Sequence, residues 1–163
     1  MDADELFTAL FAEYERPICS YLTRLTGDGE RAQDLAQETF VRAYRALQRE
    51  ERWENPRAWL YRVASHLATD DYRRRRLFVW LPLWESDGRE EGPEEAVVER
   101  VAVRRALRVL PPRYRIPLVL YTYREWSVAE IAKTLELSES AVKMRLCRAR
   151  EMFRAFYEGE EEG

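Results

Sequence analysis

SVAEIAKTLELSESAVKMRLCRAREMFR, residues 127–154, is the stretch that decides how this chain is read. Its apolar spacing predicts two short helices around a tight turn, the second basic on its outer face. Ser127 is placed to cap the first helix, and Glu130 three residues on completes a capping box. Ile131, Ala132 and Leu135 give that helix an apolar stripe. Leu137 and Ser138 end the turn, with Ser138 as cap of the second helix. Val142 and Leu146, four apart, face inward. Lys143, Arg145 and Arg148 are then left on other faces, free to meet phosphates or base edges. This is the pattern of a helix-turn-helix that lays its second helix in the DNA major groove. An ordinary helical hairpin with a solvated basic face is the plainer alternative.

Working outward, the pattern stays helical, with no alternating strand signal and no repeat. A first helix is expected over residues 4–25, with Leu6, Leu10, Tyr14, Ile18 and Leu22 at helical spacing. Pro17 within it predicts a kink or break. The glycine-rich turn TGDGE (26–30) leads to a second helix over 31–48, whose inner stripe is Ala32, Leu35, Ala36, Thr39, Phe40, Ala43 and Leu47. A polar loop (50–55) ends in Asn55-Pro56, a cap followed by proline at the first helical position. That third helix runs to about Arg76. Residues 77–84 (LFVWLPLW) are apolar, and residues 85–95 are acidic with Gly88, Gly92 and Pro93, a poor composition for a core. A second helical unit starts near Glu94. Val97, Val101, Val103 and Leu107 share one helix, and 114–123 forms another. The fold class is therefore all-α: two small helical domains joined by an acidic flexible linker.

Charge is distributed unevenly. The chain carries −3 overall, but residues 100–157 hold 13 basic and 5 acidic side chains, whereas residues 78–99 hold 1 and 7. Local rather than net charge governs attraction to nucleic acid, so the last unit suits a polyanionic partner. No apolar run approaches the ~20 residues of a membrane span, and MDADELFTAL lacks the basic start of a signal peptide. A cytoplasmic protein is the expectation. Cys19 and Cys147 form no CxxC and have no histidine pair nearby, so neither metal site nor disulfide framework is expected. One histidine, no glycine-rich phosphate loop and no nucleophile paired with a base argue against an enzyme and against a cofactor.

Three segments in order carry a resemblance over nearly the whole chain: DLAQETFVRAYRAL (34–47), NPRAWLYRVASHLATDDYRRRR (55–76) and EWSVAEIAKTLELSESAVKMRLCRARE (125–151). Together they resemble bacterial sigma factors of the extracytoplasmic-function (ECF) class. The resemblance implies a region-2-like domain over 1–77, a linker over 78–93, a region-4-like domain over 94–157 and an acidic tail over 158–163. It implies binding to core RNA polymerase, through the coiled coil of the largest subunit and the flap. It also implies recognition and opening of promoter DNA, and localisation at the nucleoid through polymerase. An anti-sigma factor is a further partner it leaves open. A stand-alone helix-turn-helix regulator would account for residues 127–154 but not for the first two segments.

The resemblance also implies roles for individual residues. Asp34, Gln37, Glu38, Val41, Arg42 and Tyr44 lie on the outer face of the second helix, and the match places them against polymerase. Trp53, Asn55, Arg57, Arg62, His66, Asp70, Arg73 and Arg74 match the surface that handles the opened minus-10 element. Cations there would hold phosphates and the Trp53 loop would take an extruded base. Core packing is the alternative for Trp53 and the favoured one for Trp59. His66 departs from the usual asparagine, and Asp70 serves either DNA or its arginine neighbours. Ser138, Glu139, Ser140, Ala141, Met144 and Arg145 are candidates for minus-35 bases, with Lys143 and Arg148 on phosphates. Glu136 stands where the turn usually has glycine, and Met144 where the family has a small polar residue. The linker's acids could imitate RNA, and Phe78, Trp80, Leu81, Leu83 and Trp84 could dock on a partner or on the first domain.

Overall fold

In the computed structural model, the residues described are 1–76 and 94–161, which form seven helices. Residues 77–93, on which the linker's charge mimicry and its aromatic run are expected, lie outside them. Helix α1 covers Ala3–Thr26, α2 Gly29–Gln48, α3 Pro56–Arg76, α4 Glu94–Val109, α5 Pro112–Thr122, α6 Val128–Leu135 and α7 Glu139–Glu161.

Helix α1 starts at a full capping box between Asp2 and Glu5 and continues unbroken through Pro17. The expected break does not occur. Proline forfeits one backbone hydrogen bond, and the helix is carried past it by Ile18, Tyr21 and Leu22, all fully buried. It ends at Gly27, whose φ of 69° is the left-handed conformation that a glycine adopts without strain. Asp28 caps α2 through the Glu30 and Arg31 amides. The inner stripe of α2 is buried as expected, except that Leu35 is half-buried, and Ala46 joins it. Burying Phe40 and Leu47 contributes about 1.5–3 kcal/mol each. Asn55 caps α3 by accepting from the Ala58 amide.

Helices α1 to α3 form one bundle, and α4 to α7 a second that packs against it. Tyr61 of α3 meets Trp126, just before α6, with ring centroids 4.7 Å apart. Buried residues of both bundles belong to one contiguous apolar cluster. The first residues of the expected acidic tail, 158–161, continue α7 as helix.

Candidate nucleic-acid interface

Ser127 caps α6 through the Glu130 amide at 3.1 Å, and Ser138 accepts from the Ala141 amide at the start of α7. Ile131, Ala132, Val142 and Leu146 are buried between the two helices. Glu136 joins them at φ 57°, ψ 44°, the left-handed conformation that costs a residue with a Cβ. The expected capping box is only half made: the Glu130 carboxylate accepts instead from Arg57 of α3, at 3.0 Å.

Burying Val142 and Leu146 fixes what α7 presents outward. Ser138, Glu139, Ser140, Lys143, Met144 and Arg148 are exposed, Met144 to 61%, while Ala141 and Arg145 are half-covered. One face of α7 thus offers two cations, three small polar or acidic side chains and an apolar tip. That is a surface able both to hold phosphates and to touch base edges.

The residues expected to handle opened DNA divide into three groups. His66, Asp70, Arg73 and Arg74 are exposed along α3. Arg57 and Arg62 are held by α6: Arg62 donates from Nη1 to Glu136 and from Nε to the Thr134 carbonyl, at 3.0 and 3.1 Å. Asn55 is the helix cap, and Trp53 stacks on Trp59 with centroids 4.1 Å apart. The Trp53 indole N–H is buried without a hydrogen-bond partner among the described residues. Trp59, like Trp53, is half-buried and packs against the apolar core, the packing role favoured for it.

Asp70 makes no ion pair among the described residues. The arginine-organising role falls to its neighbour Asp71, which is 4% exposed and pairs with Arg31 of α2 and with Arg75. The hydrogen bond from Arg31 to Asp71 raises the guanidinium's pKa. Sequence spacing offers two adjacent aspartates, and only packing against α2 distinguishes them.

A cleft of about 560 Å³ opens between the bundles. His66, Tyr72 and Arg73 of α3, Arg113 of α5 and Arg145 of α7 are among its walls. No carboxylate pairs with Arg73, Arg113 or Arg145 among the described residues. Candidates for two different DNA elements therefore share one basic cleft.

In the first bundle, Asp34, Gln37, Val41, Arg42 and Tyr44 are exposed along α2, with Glu38 half-exposed and paired to Arg42 at 3.1 Å. Sequence reading missed that α1 extends this face. Phe7 lies edge-on to Tyr44 at 5.3 Å, and Phe11, 43% exposed, packs on Phe40 at 5.1 Å. The four-residue spacing of Phe7 and Phe11 was the available signal.

No helix among the described residues is long and apolar enough to cross a membrane.

Comparison with known proteins agrees with this arrangement. Residues 10–78 match the Sigma-70 region 2 family and residues 100–153 match Sigma-70, region 4. The ECF RNA polymerase sigma factor SigL of Mycobacterium tuberculosis is 34% identical over 155 residues, covering 86% of this chain and 82% of SigL. The ECF RNA polymerase sigma factor SigW of Bacillus subtilis is 30% identical over 165 residues, covering 92% and 88%. Among solved structures, CnrH in complex with the cytosolic domain of CnrY superposes with a TM-score of 0.71 at 26% identity, covering 96% of this chain and 90% of CnrH. The two matched regions, in this order and at this coverage, place the chain in the ECF class of the sigma-70 family, sigma factors that direct RNA polymerase to promoters through regions 2 and 4.

Proposed function

We infer that the chain divides this work among three surfaces. The α2 face, with Asp34, Gln37, Glu38, Val41, Arg42 and Tyr44, grips the coiled coil of the polymerase's largest subunit, and the second bundle meets the flap. A half-polar face with exposed aromatics suits protein association. Helix α3 and the Trp53 loop handle the opened minus-10 strand. Arg57, Arg62, Arg73 and Arg74 hold phosphates, and the unpartnered indole N–H of Trp53 offers a donor to an extruded base. His66 faces the same strand from a surface position, where the usual asparagine is absent. The outer face of α7 reads the minus-35 duplex. Polymerase makes every bond; this chain supplies position and strand separation.

The observation that carries this reading is the outward face of α7, where Lys143, Met144 and Arg148 stand exposed on a helix whose inner side is locked by Val142 and Leu146. CnrH is solved with a protein partner, CnrY, and a comparable anti-sigma protein is the regulator we infer here.

In-vitro transcription with core RNA polymerase on a fragmented genomic library tests the whole proposal. Discrete start sites that appear only with this protein are expected, and aligning them gives both promoter elements. Specific duplex binding by the protein alone, with no new starts, would replace the proposal with a stand-alone regulator.

A further inference from the structure

Helix α6 lies across α3 and holds one arginine at each of its ends. In its first turn the Glu130 carboxylate takes Arg57 Nη2 at 3.0 Å, and the Arg57 guanidinium also stands over the Trp126 ring, 4.4 Å from its centroid. At its last turn the Thr134 carbonyl and the Glu136 carboxylate take two N–H groups of Arg62. Carbonyls at a helix C-terminus carry partial negative charge, so the end of α6 attracts a cation twice over. A carboxylate accepts from a guanidinium in the same fork geometry as a phosphate.

The backbone points the same way. Glu136 occupies a left-handed conformation that glycine would adopt at no cost. A strained non-glycine residue at a turn invites the question of what its side chain does. Here it reaches across the domain boundary to Arg62.

We propose that α6 is a built-in competitor for DNA on α3: Glu130 and Glu136 occupy the guanidinium groups of Arg57 and Arg62 that would otherwise take promoter phosphates. The closed chain is silent at that surface until the two bundles separate. This rests on the reading of α3 as the strand-handling surface.

The test uses the free full-length chain and a short fluorescein-labelled single-stranded DNA, with affinity read by anisotropy and opening read by small-angle X-ray scattering. Glu136→Gly relaxes the turn while removing the carboxylate, so a loss of folding cannot account for its effect. Glu130→Gln is combined with it. Glu151→Gln with Glu158→Gln, two exposed acids on α7 with no arginine ion pair among the described residues, controls for net charge. The E130Q/E136G chain is expected to have a larger radius of gyration and to bind the strand about tenfold tighter than wild type. The control pair should change affinity less than threefold. Adding Arg62→Gln should abolish the gain.

A gain no greater than the control's, with no expansion, would overturn the proposal and leave the reading of α3 standing. Expansion without a gain in affinity would overturn the reading of α3 and the proposal together. A wild-type chain already as extended as the variant would overturn the proposal alone.

Discussion

Arg115 of α5 donates through Nη1 to the carbonyl of Leu25, ninety residues earlier in the chain, at the C-terminal end of α1. The same guanidinium also takes the carbonyls of Arg108 and Leu110 at 2.7 Å each, where α4 ends. It is a buried cation that binds helix ends rather than a carboxylate. Helix C-termini are where a positive charge is best placed. Burial pulls its pKa down to about 10, which still leaves it protonated at neutral pH.

Arg115→Met, close in volume, would leave those three carbonyls short of a partner at the junction of the bundles. A loss of about 3 kcal/mol is expected, read as a lower urea midpoint at unchanged m. Arg115→Lys should recover part of it, because an ammonium offers three donors but no planar fork. A midpoint unchanged in the methionine variant would show that the carbonyls find other donors.

Tyr21 is fully buried and its hydroxyl is 2.7 Å from Ser65 Oγ. Burial raises the pKa of Tyr21 above its ordinary value of 10, and raises that of Tyr61 too. The unfolded chain therefore releases these protons first as pH rises. Stability should be full below pH 10 and fall above it, by up to about 1.4 kcal/mol per pH unit for each tyrosine. Tyr21→Phe should cost about 1 kcal/mol at neutral pH and make the alkaline decline shallower. Urea midpoints across the alkaline range check both; parallel curves would contradict the assignment.

On α7, holding and reading should separate. Lys143→Ala is expected to weaken duplex binding by a similar factor on every sequence and to reduce the salt dependence by about one phosphate contact. Met144→Ala should leave non-specific binding unchanged and relax preference at one base pair, by about 1 kcal/mol or somewhat more. Titrations of the holoenzyme on duplexes varied base by base give both quantities. Equal loss on all sequences for Met144→Ala would remove it from the reading face.

Tyr44→Ala and Phe11→Ala both cut into the aromatic face shared by α1 and α2. Each should weaken binding to core polymerase by about tenfold while changing the unfolding free energy in urea by no more than ~1 kcal/mol, since both rings are about two-fifths exposed. Competition against a labelled wild-type chain for a fixed amount of core measures this. Unchanged competition by Phe11→Ala would confine the interface to α2.

Periodicity and capping chemistry made most of the local structure legible. The spacing of apolar residues located all seven helices, and Asn55, Ser127 and Ser138 cap where side-chain chemistry says they should. What stayed hidden was everything decided between elements. A sequence shows Glu130 three residues after Ser127 and suggests a capping box, but Arg57 on another bundle offers a stronger, charged donor. It shows Asp70 and Asp71 side by side, and only the approach of Arg31 selects the second. Pro17 does not break α1 for a related reason: one missing backbone hydrogen bond is outweighed by the buried stripe of the helix around it.

The shared apolar cluster joins two bundles that are also linked covalently, through residues 77–93. Each bundle therefore meets the other at an effective concentration on the order of millimolar. The balance between closed and parted forms is set inside each molecule, whatever the copy number of the protein in the cell. A ligand that needs the bundles apart sees its affinity reduced by the closed fraction, whereas one that grips both bundles as they stand does not. A weak regulator clasping the closed chain can thus hold its own against a tighter binder that must first prise it open.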